Sequence, residues 1–296
     1  MSTVLLFFNE KKVMKIMKKY GVIGFPLGHS MSPFIQKELF ALRGTEAEYE
    51  KYEIAPEKLS EEFSKTLSAL DGFNITIPHK IAIMSCCDEI DGVAAEYGAV
   101  NTVVKRDGRF FGYNTDAYGF LKGLEFSGIP LEGRVLIYGF GGAARTLITE
   151  SLKAGCEVTV GTTADRLTQA EKVVAEIAAK KGKKIKLISN EEITESYDLL
   201  VHASPVGMYP KVGVSPITAE QVELFRCVYD IVYNPVDTEL LKTAREKGKI
   251  CGGGLSMLVY QAMRGQTHGL GVEFTKEEAA TVIERSAKEL ERVFGK

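Results

Sequence analysis

Cysteine is scarce and poorly spaced for structural use: five in 296 residues, at Cys86, Cys87, Cys156, Cys227 and Cys251. The number is odd, two are adjacent and no C-x-x-C pair occurs, so neither a disulfide framework nor a zinc site is suggested. A reducing, cytoplasmic setting is expected. Long apolar runs are also missing. None reaches the ~18 residues that a membrane helix needs. The early run Val4–Phe8 is shorter than a signal h-region of ~7–15 residues and leads into lysines, so residues 1–19 read as an N-terminal extension. Basic excess is lacking too, since 37 Lys+Arg against 39 Asp+Glu leave a net charge of -2. That argues against an obligate nucleic-acid binder. Proline is sparse at 9 residues, whereas glycine reaches 29, about a tenth of the chain against a usual ~7%. Glycine without proline points to tight turns and backbone approaching a ligand. The length implies about two domains.

Two rhythms divide the chain. In the first, Tyr20–Phe25, Tyr49–Ile54 and 71–78 read as strands, Ser32 and Pro33 open a helix with Ser32 as N-cap, and 56–70 reads as another helix. Ala99–Val104 and Phe110–Tyr113 flank the turn 106–108 like a hairpin. From about Leu131, strands and helices alternate: strands 134–138, 157–160, 185–188, 199–202, 227–232 and 249–251, with helices 143–153, 166–180 and one from Thr238. Runs such as 134–138, apolar from Val135 onward and rich in β-formers, belong in a buried parallel sheet, so the second half is expected to be doubly wound. Apolar-periodic helices at 256–267 and 276–294 close the chain.

One loop carries a phosphate signature. Strand 135–138 runs into Gly139, Phe140, Gly141, Gly142 and Ala143 and then a helix, a G-x-G-x-x-A pattern ending on Ala144. The first glycine makes the turn, the second admits pyrophosphate to the backbone, and the helix N-terminus favours the negative charge. The next strand ends in Gly161, Thr162 and Thr163, where NAD-binding chains place an acid. Arg166 and the two hydroxyls suit a 2′-phosphate and favour NADP, while Asp165 cuts the other way and leaves NAD use open.

Polar residues cluster in four segments of the first half. GHSMSP (28–33) puts Ser30 and Ser32 before a helix N-terminus, a grip for a carboxylate. NITIPHK (74–80) ends a strand on alternating polar residues and Lys80. GAVNT (98–102) and GYNTDAYGF (112–120) repeat a glycine, strand, Asn-Thr theme. Read singly, each has an ordinary explanation as a cap, a turn or a solvated lysine. His29 and His79 read as orienting or packing residues, and no ligand set for a metal converges.

Together with GFGGAAR (139–145), ASPVGM (203–208), DIVYNP (230–235) and GLSMLVYQA (254–262), these motifs resemble the shikimate dehydrogenase family in identity, order and spacing. The resemblance runs from about Tyr20 to the C-terminus. It implies an α/β fold: an N-terminal substrate domain over 20–121, a Rossmann-type doubly wound parallel-sheet cofactor domain over 122–255, and C-terminal helices over 256–296 completing the first. It also implies reversible NADPH-dependent reduction of 3-dehydroshikimate to shikimate, a step of chorismate and aromatic amino-acid biosynthesis. Lys80 and Asp116 would be catalytic. Ser30 and Ser32 would hold the substrate carboxylate, and Asn74, Thr76, Asn101 and Gln261 its ring hydroxyls, with Tyr233 nearby. Gly139 to Ala143, Gly161, Thr162, Thr163, Arg166, Ile231 and Gly254 would line the cofactor. Expected partners are the small-molecule substrate alone, with no nucleic acid and no membrane, in a monomer or homodimer. Three departures from the family pattern stand out. Gly161-Thr162-Thr163 replaces an Asn-Arg-Thr triplet, Phe140 fills a usually small position as a packing change, and His202 stands where Asn is common. They keep open a quinate/shikimate dehydrogenase with relaxed substrate and NAD/NADP use.

Overall fold

Two patterns of apolar residues bury differently and build separate sheets. The structure, a computed structural model, describes residues 17–28 and 30–295. Strands β1 (Lys18–Gly24), β2 (Ala47–Glu53), β3 (Gly72–Ile75), β4 (Glu89–Ile90), β5 (Thr102–Arg106) and β6 (Arg109–Tyr113) form a mixed sheet ordered β2-β1-β3-β5-β6-β4. β1 runs parallel to β2 and β3, and β5 antiparallel to β3 and β6. Helices α1 (Ser32–Leu42), α2 (Leu59–Lys65) and α3 (Gly92–Tyr97) link the strands, and α4 (Asp116–Phe126) leads out of the sheet. Ile23, Leu67, Phe73, Ile83 and Val103 meet in its core.

The second sheet is entirely parallel. It is made by β7 (Arg134–Tyr138), α5 (Gly142–Lys153), β8 (Glu157–Thr162), α6 (Leu167–Lys181), β9 (Lys186–Ser189), β10 (Tyr197–His202), α7 (Ala219–Val222), β11 (Phe225–Asp230), α8 (Glu239–Glu246) and β12 (Ile250–Gly253). The order β12-β11-β10-β7-β8-β9 is the doubly wound Rossmann order, with its switch point between β7 and β10. β7 shows why the run reads as continuously apolar: Val135 and Ile137 enter the core on one face, Leu136 and Tyr138 that on the other. A strand sandwiched between two helix layers has no solvent side.

The chain then returns. Helices α9 (Gly254–Leu270) and α10 (Lys276–Phe294) bury Leu255, Val259, Met263, Ala279 and Val282 against Met31, Ile35 and Leu39 of the first unit. α9 also packs along α4, and Met257 reaches the Rossmann core. This return depends on glycine at two contacts. A Cβ on Gly254 would sit 2.0 Å from the Ile231 carbonyl oxygen, and one on Gly119 would sit 2.6 Å from the Met257 carbonyl oxygen.

Several elements depart from the sequence reading. β1 begins at Lys18, inside the expected extension, because Lys18 and Lys19 continue the register with Ala47 and Glu48 and the Lys19 N–H donates to Asp71 at 2.8 Å. Residues 1–16 lie outside the described residues. The N-cap of α1 is Met31, with no side-chain cap, so Ser32 is the first helical residue instead. The expected helix over 56–70 breaks into a 3-10 turn at Pro56–Lys58, α2, and a second 3-10 turn at Leu67–Ala69. The break lets Leu59, Leu67 and Leu70 enter one core together. β8 runs on through Thr162. β4, α3, α4 and α7 were not expected, being short or, in α4, rich in glycine.

Gly254→Ala is expected to destabilise by about 1–3 kcal/mol, because the obstacle is backbone that cannot rotate away. Gly269→Ala, in the same helix with only Val104 Cγ2 at 3.9 Å, is expected to stabilise by about 0.5–1 kcal/mol through helix propensity. Urea unfolding midpoints of the two variants would separate them. Equal shifts would contradict the steric account.

Candidate active site

The end of β3, the entry to β5 and the start of α4 bring the polar motifs together. Lys80 lies in the turn beyond β3, held by the Val100 N–H donating to its carbonyl at 2.8 Å. Its Nζ donates to Asp116 Oδ2 at 2.6 Å, and the two side chains are 14% and 0% exposed. A carboxylate cut off from water needs every lone pair answered. Asp116 Oδ1 accepts from Asn101 Nδ2 at 2.8 Å, and the Asp116 N–H donates to Asn114 Oδ1 at 2.9 Å. As the first residue of α4, Asp116 also faces the positive end of the helix dipole. Asn101 is held in turn, its Oδ1 accepting the Thr115 N–H at 2.8 Å and the Thr102 hydroxyl at 3.2 Å.

This network extends toward α1. Asn74 Nδ2 donates to Thr102 Oγ1 at 3.1 Å. Its Oδ1 accepts from Tyr49 at 2.7 Å and Gln36 Nε2 at 3.2 Å, and Gln36 Oε1 accepts from Gln266 of α9 at 2.8 Å. Burial pushes the Tyr49 phenol upward in pKa, and a hydrogen bond from Ser32 pulls it part of the way back. Burial likewise pushes Tyr233 up to about 12, opposed by a hydrogen bond from the Met31 backbone. Both tyrosines therefore touch the 30–32 segment, where Ser30 Oγ accepts the Ser32 N–H at 3.4 Å. Gln261 on α9 lies over Gly119 of α4, where a Cβ would meet its Cγ at 2.5 Å. Thr76 is half-buried, with its N–H donated to Ile23 at 2.9 Å.

The glycine loop closes the other side. Gly139 has φ +126°, and a Cβ there would lie 2.5 Å from the Ala203 carbonyl oxygen. No side chain caps α5, so the N–H groups of its first turn are open to an anion. A Cβ on Gly141 would meet nothing within 4 Å, and on Gly142 only the Lys80 side chain, at 3.6 Å. The cradle is of the shape and polarity that a dinucleotide pyrophosphate needs, and Lys80 stands at its edge.

Beyond β8, Thr162 is buried in the strand, leaving Thr163, Asp165 and Arg166 as the outer polar groups. Gly161 is explained by packing, since a Cβ would meet Leu136 and Tyr138 at 3.2 Å. Phe140 is not a simple packing change. Its half-buried ring carries the Arg166 guanidinium 4.6 Å from the centroid, a cation–π contact that holds the arginine over the loop. Ile231 donates its N–H to the His202 carbonyl at 3.0 Å and abuts Gly254.

Sequence motifs missed several members of this arrangement. Gln36, Tyr49 and Gln266 carry no local signature, since each belongs to an ordinary helix or strand. Thr102 and Thr115 stood in the Asn-Thr motifs and showed their role only in three dimensions. His79 is buried, with Nε2 2.7 Å from the Ile54 carbonyl, and His29 lies outside the described residues. Among the described residues no cluster of His, Cys, Asp or Glu could hold a metal.

Residues 22–103 match the family model described as shikimate dehydrogenase substrate binding domain. The shikimate dehydrogenase (NADP(+)) of Geobacillus kaustophilus is 36% identical over 247 residues, 82% of this chain and 89% of that protein. The enzyme of the same name from Bacillus cereus strain AH187 is 40% identical over 248 residues, 82% and 88% of the two chains. Among solved structures, shikimate 5-dehydrogenase from Thermus thermophilus in complex with NADP(H) and shikimate superposes with a TM-score of 0.80 at 33% identity, covering 91% of this chain and 100% of that one.

The buried carboxylate makes Asn101 a sensitive position. Asn101→Asp removes the donor to Asp116 and sets a second carboxylate beside it, so one of the pair must be protonated to fold. A loss of about 2–4 kcal/mol is expected at pH 8. Because a shared proton relieves the repulsion, the difference from the parent protein should shrink as pH falls toward 5. A difference that stays flat with pH in urea melts would rule out this account of the network.

Proposed function

The chain belongs to the shikimate dehydrogenase family, and from that premise we propose how its cleft reduces 3-dehydroshikimate to shikimate, reversibly and with NADPH, in the shikimate pathway to chorismate and the aromatic amino acids. The observation that carries the reading is the Lys80–Asp116 pair at 2.6 Å with the lysine stem beside Gly142 of the glycine loop. It supports a proton donor at the edge of a dinucleotide cradle. NADPH, when bound, supplies the hydride.

Everything else falls to the chain. Ser30 and Ser32 hold the substrate carboxylate near the start of α1. Asn74, Thr76, Asn101 and Gln261 present amide and hydroxyl groups toward the ring hydroxyls, with Tyr233 at the same wall. Lys80 Nζ stabilises the developing alkoxide at C3 and gives it a proton; in the reverse direction the amine takes that proton from the hydroxyl. Asp116 keeps Nζ aimed while its own oxygens stay bonded. Gly139, Phe140, Gly141, Gly142 and Ala143 cradle the pyrophosphate. Thr163 and Arg166 border the adenosine ribose, with Gly161 and Thr162 packed in the strand beneath them, and Ile231 and Gly254 line the far end of the cofactor. The substrate unit takes in 20–121 and 256–296, with the cofactor unit, 122–255, inserted between them. The interrupted arrangement is supported by the packing of α9 and α10 on α1. The relaxed quinate and NAD reading is not favoured, since the curated relatives carry the NADP name. A cytoplasmic setting suits the five free cysteines, and no described helix is long and apolar enough to cross a membrane.

Following absorbance at the NADPH maximum with shikimate and NADP tests the reading directly; absence of turnover would end it. Lys80→Ala should lower kcat by about 10²–10⁴-fold, while shikimate still binds by calorimetry. Arg166→Ala should raise KM for NADP by roughly tenfold or more, the worth of one charge-assisted contact, and leave KM for NAD nearly unchanged. A parallel rise in both would remove Arg166 from the 2′-phosphate.

A further inference from the structure

A buried relay stands at the switch point of the Rossmann sheet, outside the residues assigned above. His202, 0% exposed at the end of β10, places Nδ1 2.8 Å from Asp230 Oδ1 and Nε2 2.6 Å from the Ser204 hydroxyl. Asp230, at the end of β11, accepts in addition from the Val232 N–H at 2.9 Å and the Thr238 hydroxyl at 2.7 Å. Thr238 in turn caps α8 through the Leu241 N–H at 3.3 Å. The imidazole is thus fixed between β11 and the loop that follows its own strand.

Proton counting gives Ser204 a direction. A carboxylate only accepts, so His202 Nδ1 carries a proton, and with that single proton on the ring Nε2 is an acceptor. The Ser204 O–H then donates inward to it. One Ser204 lone pair accepts the Val206 N–H at 3.3 Å. A hydroxyl has one donor and two acceptor sites, so what remains is a single lone pair. Ser204 is half-buried, and its loop touches the glycine loop, since a Cβ on Gly139 would lie 3.1 Å from the Ser204 backbone nitrogen. Ligands of doubly wound sheets cross at this point, beyond the carboxyl ends of the strands.

We propose that Ser204, its proton drawn inward by the positioning residues His202 and Asp230, is a specificity residue that accepts a hydrogen bond from the nicotinamide half of the cofactor. A spare acceptor repels phosphate oxygens and suits a donor, either a ribose hydroxyl or the carboxamide N–H. The inference rests on the dinucleotide reading of the cleft. That reading fails on its own if the parent protein does not bind NADP or turn over shikimate.

The test measures dissociation constants by calorimetry for NADP and for 2′,5′-ADP, which lacks the nicotinamide half. Ser204→Ala should weaken NADP about 5–10-fold, leave 2′,5′-ADP within twofold, and be rescued by Ser204→Thr, which keeps the hydroxyl. His202→Phe should reproduce the Ser204→Ala pattern, and the double variant should be no worse than either single. With the 3-acetylpyridine analogue of NADP, which has no carboxamide N–H, loss of the Ser204→Ala effect identifies the carboxamide as donor, and its persistence identifies the ribose. Equal weakening of both ligands, or no weakening of NADP, overturns the proposal. Because Ser204 is only half-buried, the Ala and Thr variants decide the matter even if His202→Phe fails to fold.

Discussion

Asp116 is the constraint on which the rest of the cleft depends. A carboxylate with no solvent exposure costs several kcal/mol to hold charged unless each oxygen is answered. The answers come from two directions: Lys80 beyond β3 and Asn101 at the entry to β5. Because Asp116 is also the first residue of α4, the helix that leads to the second sheet, the same pairing fixes where that helix starts. Lys80 is therefore held between the mixed sheet and the glycine loop. One buried charge thus sets the lysine side chain against the glycine loop.

A second constraint is backbone contact. The chain leaves the substrate unit at α4 and re-enters it at α9, so those two helices must lie side by side. Gly119 lets the Met257 carbonyl approach α4, and Gly254 lets α9 begin against the Ile231 carbonyl. At both places an added Cβ would fall inside van der Waals distance of backbone, which no rotamer change relieves. α3 ties the units from the opposite side. There the Tyr97 hydroxyl donates to the buried Glu150 of α5 at 2.5 Å, and Lys181 of α6 pairs with Glu96. The glycine excess is thus partly turn chemistry and partly the cost of packing two interleaved units.

Legibility followed the physics of each element. The Rossmann strands were readable because burial on both faces demands uninterrupted apolar runs, and the loop after β7 because its glycines have a fixed geometric purpose. Elements of the mixed sheet were harder. β4 has two residues, and α4 carries Gly119 and Gly123 for packing, which dilutes its helical signature. The cap of α1 was misplaced because Ser32-Pro33 fits a cap and first-turn pattern, yet the helix starts one residue earlier in register and Ser30 takes the Ser32 N–H. Asn74, Asn101, Lys80 and Asp116 were legible as motif residues. Their supports Gln36, Tyr49, Thr102 and Gln266 were not, because a hydrogen bond across 28 or 230 positions leaves no local trace.

Cofactor choice shows how a near-neutral protein can still favour an extra phosphate. With a net charge of -2 no global field steers the anion, so discrimination must come from a fixed local cation. Two arginines flank the glycine loop. Arg145 pairs with Glu176 at 2.9 Å. Arg166 has a different partner, the Phe140 ring, which restrains the guanidinium without neutralising it. A bulky residue inside the glycine loop therefore limits the side-chain freedom of the cation beside it, which lowers the entropy that binding an anion there would cost.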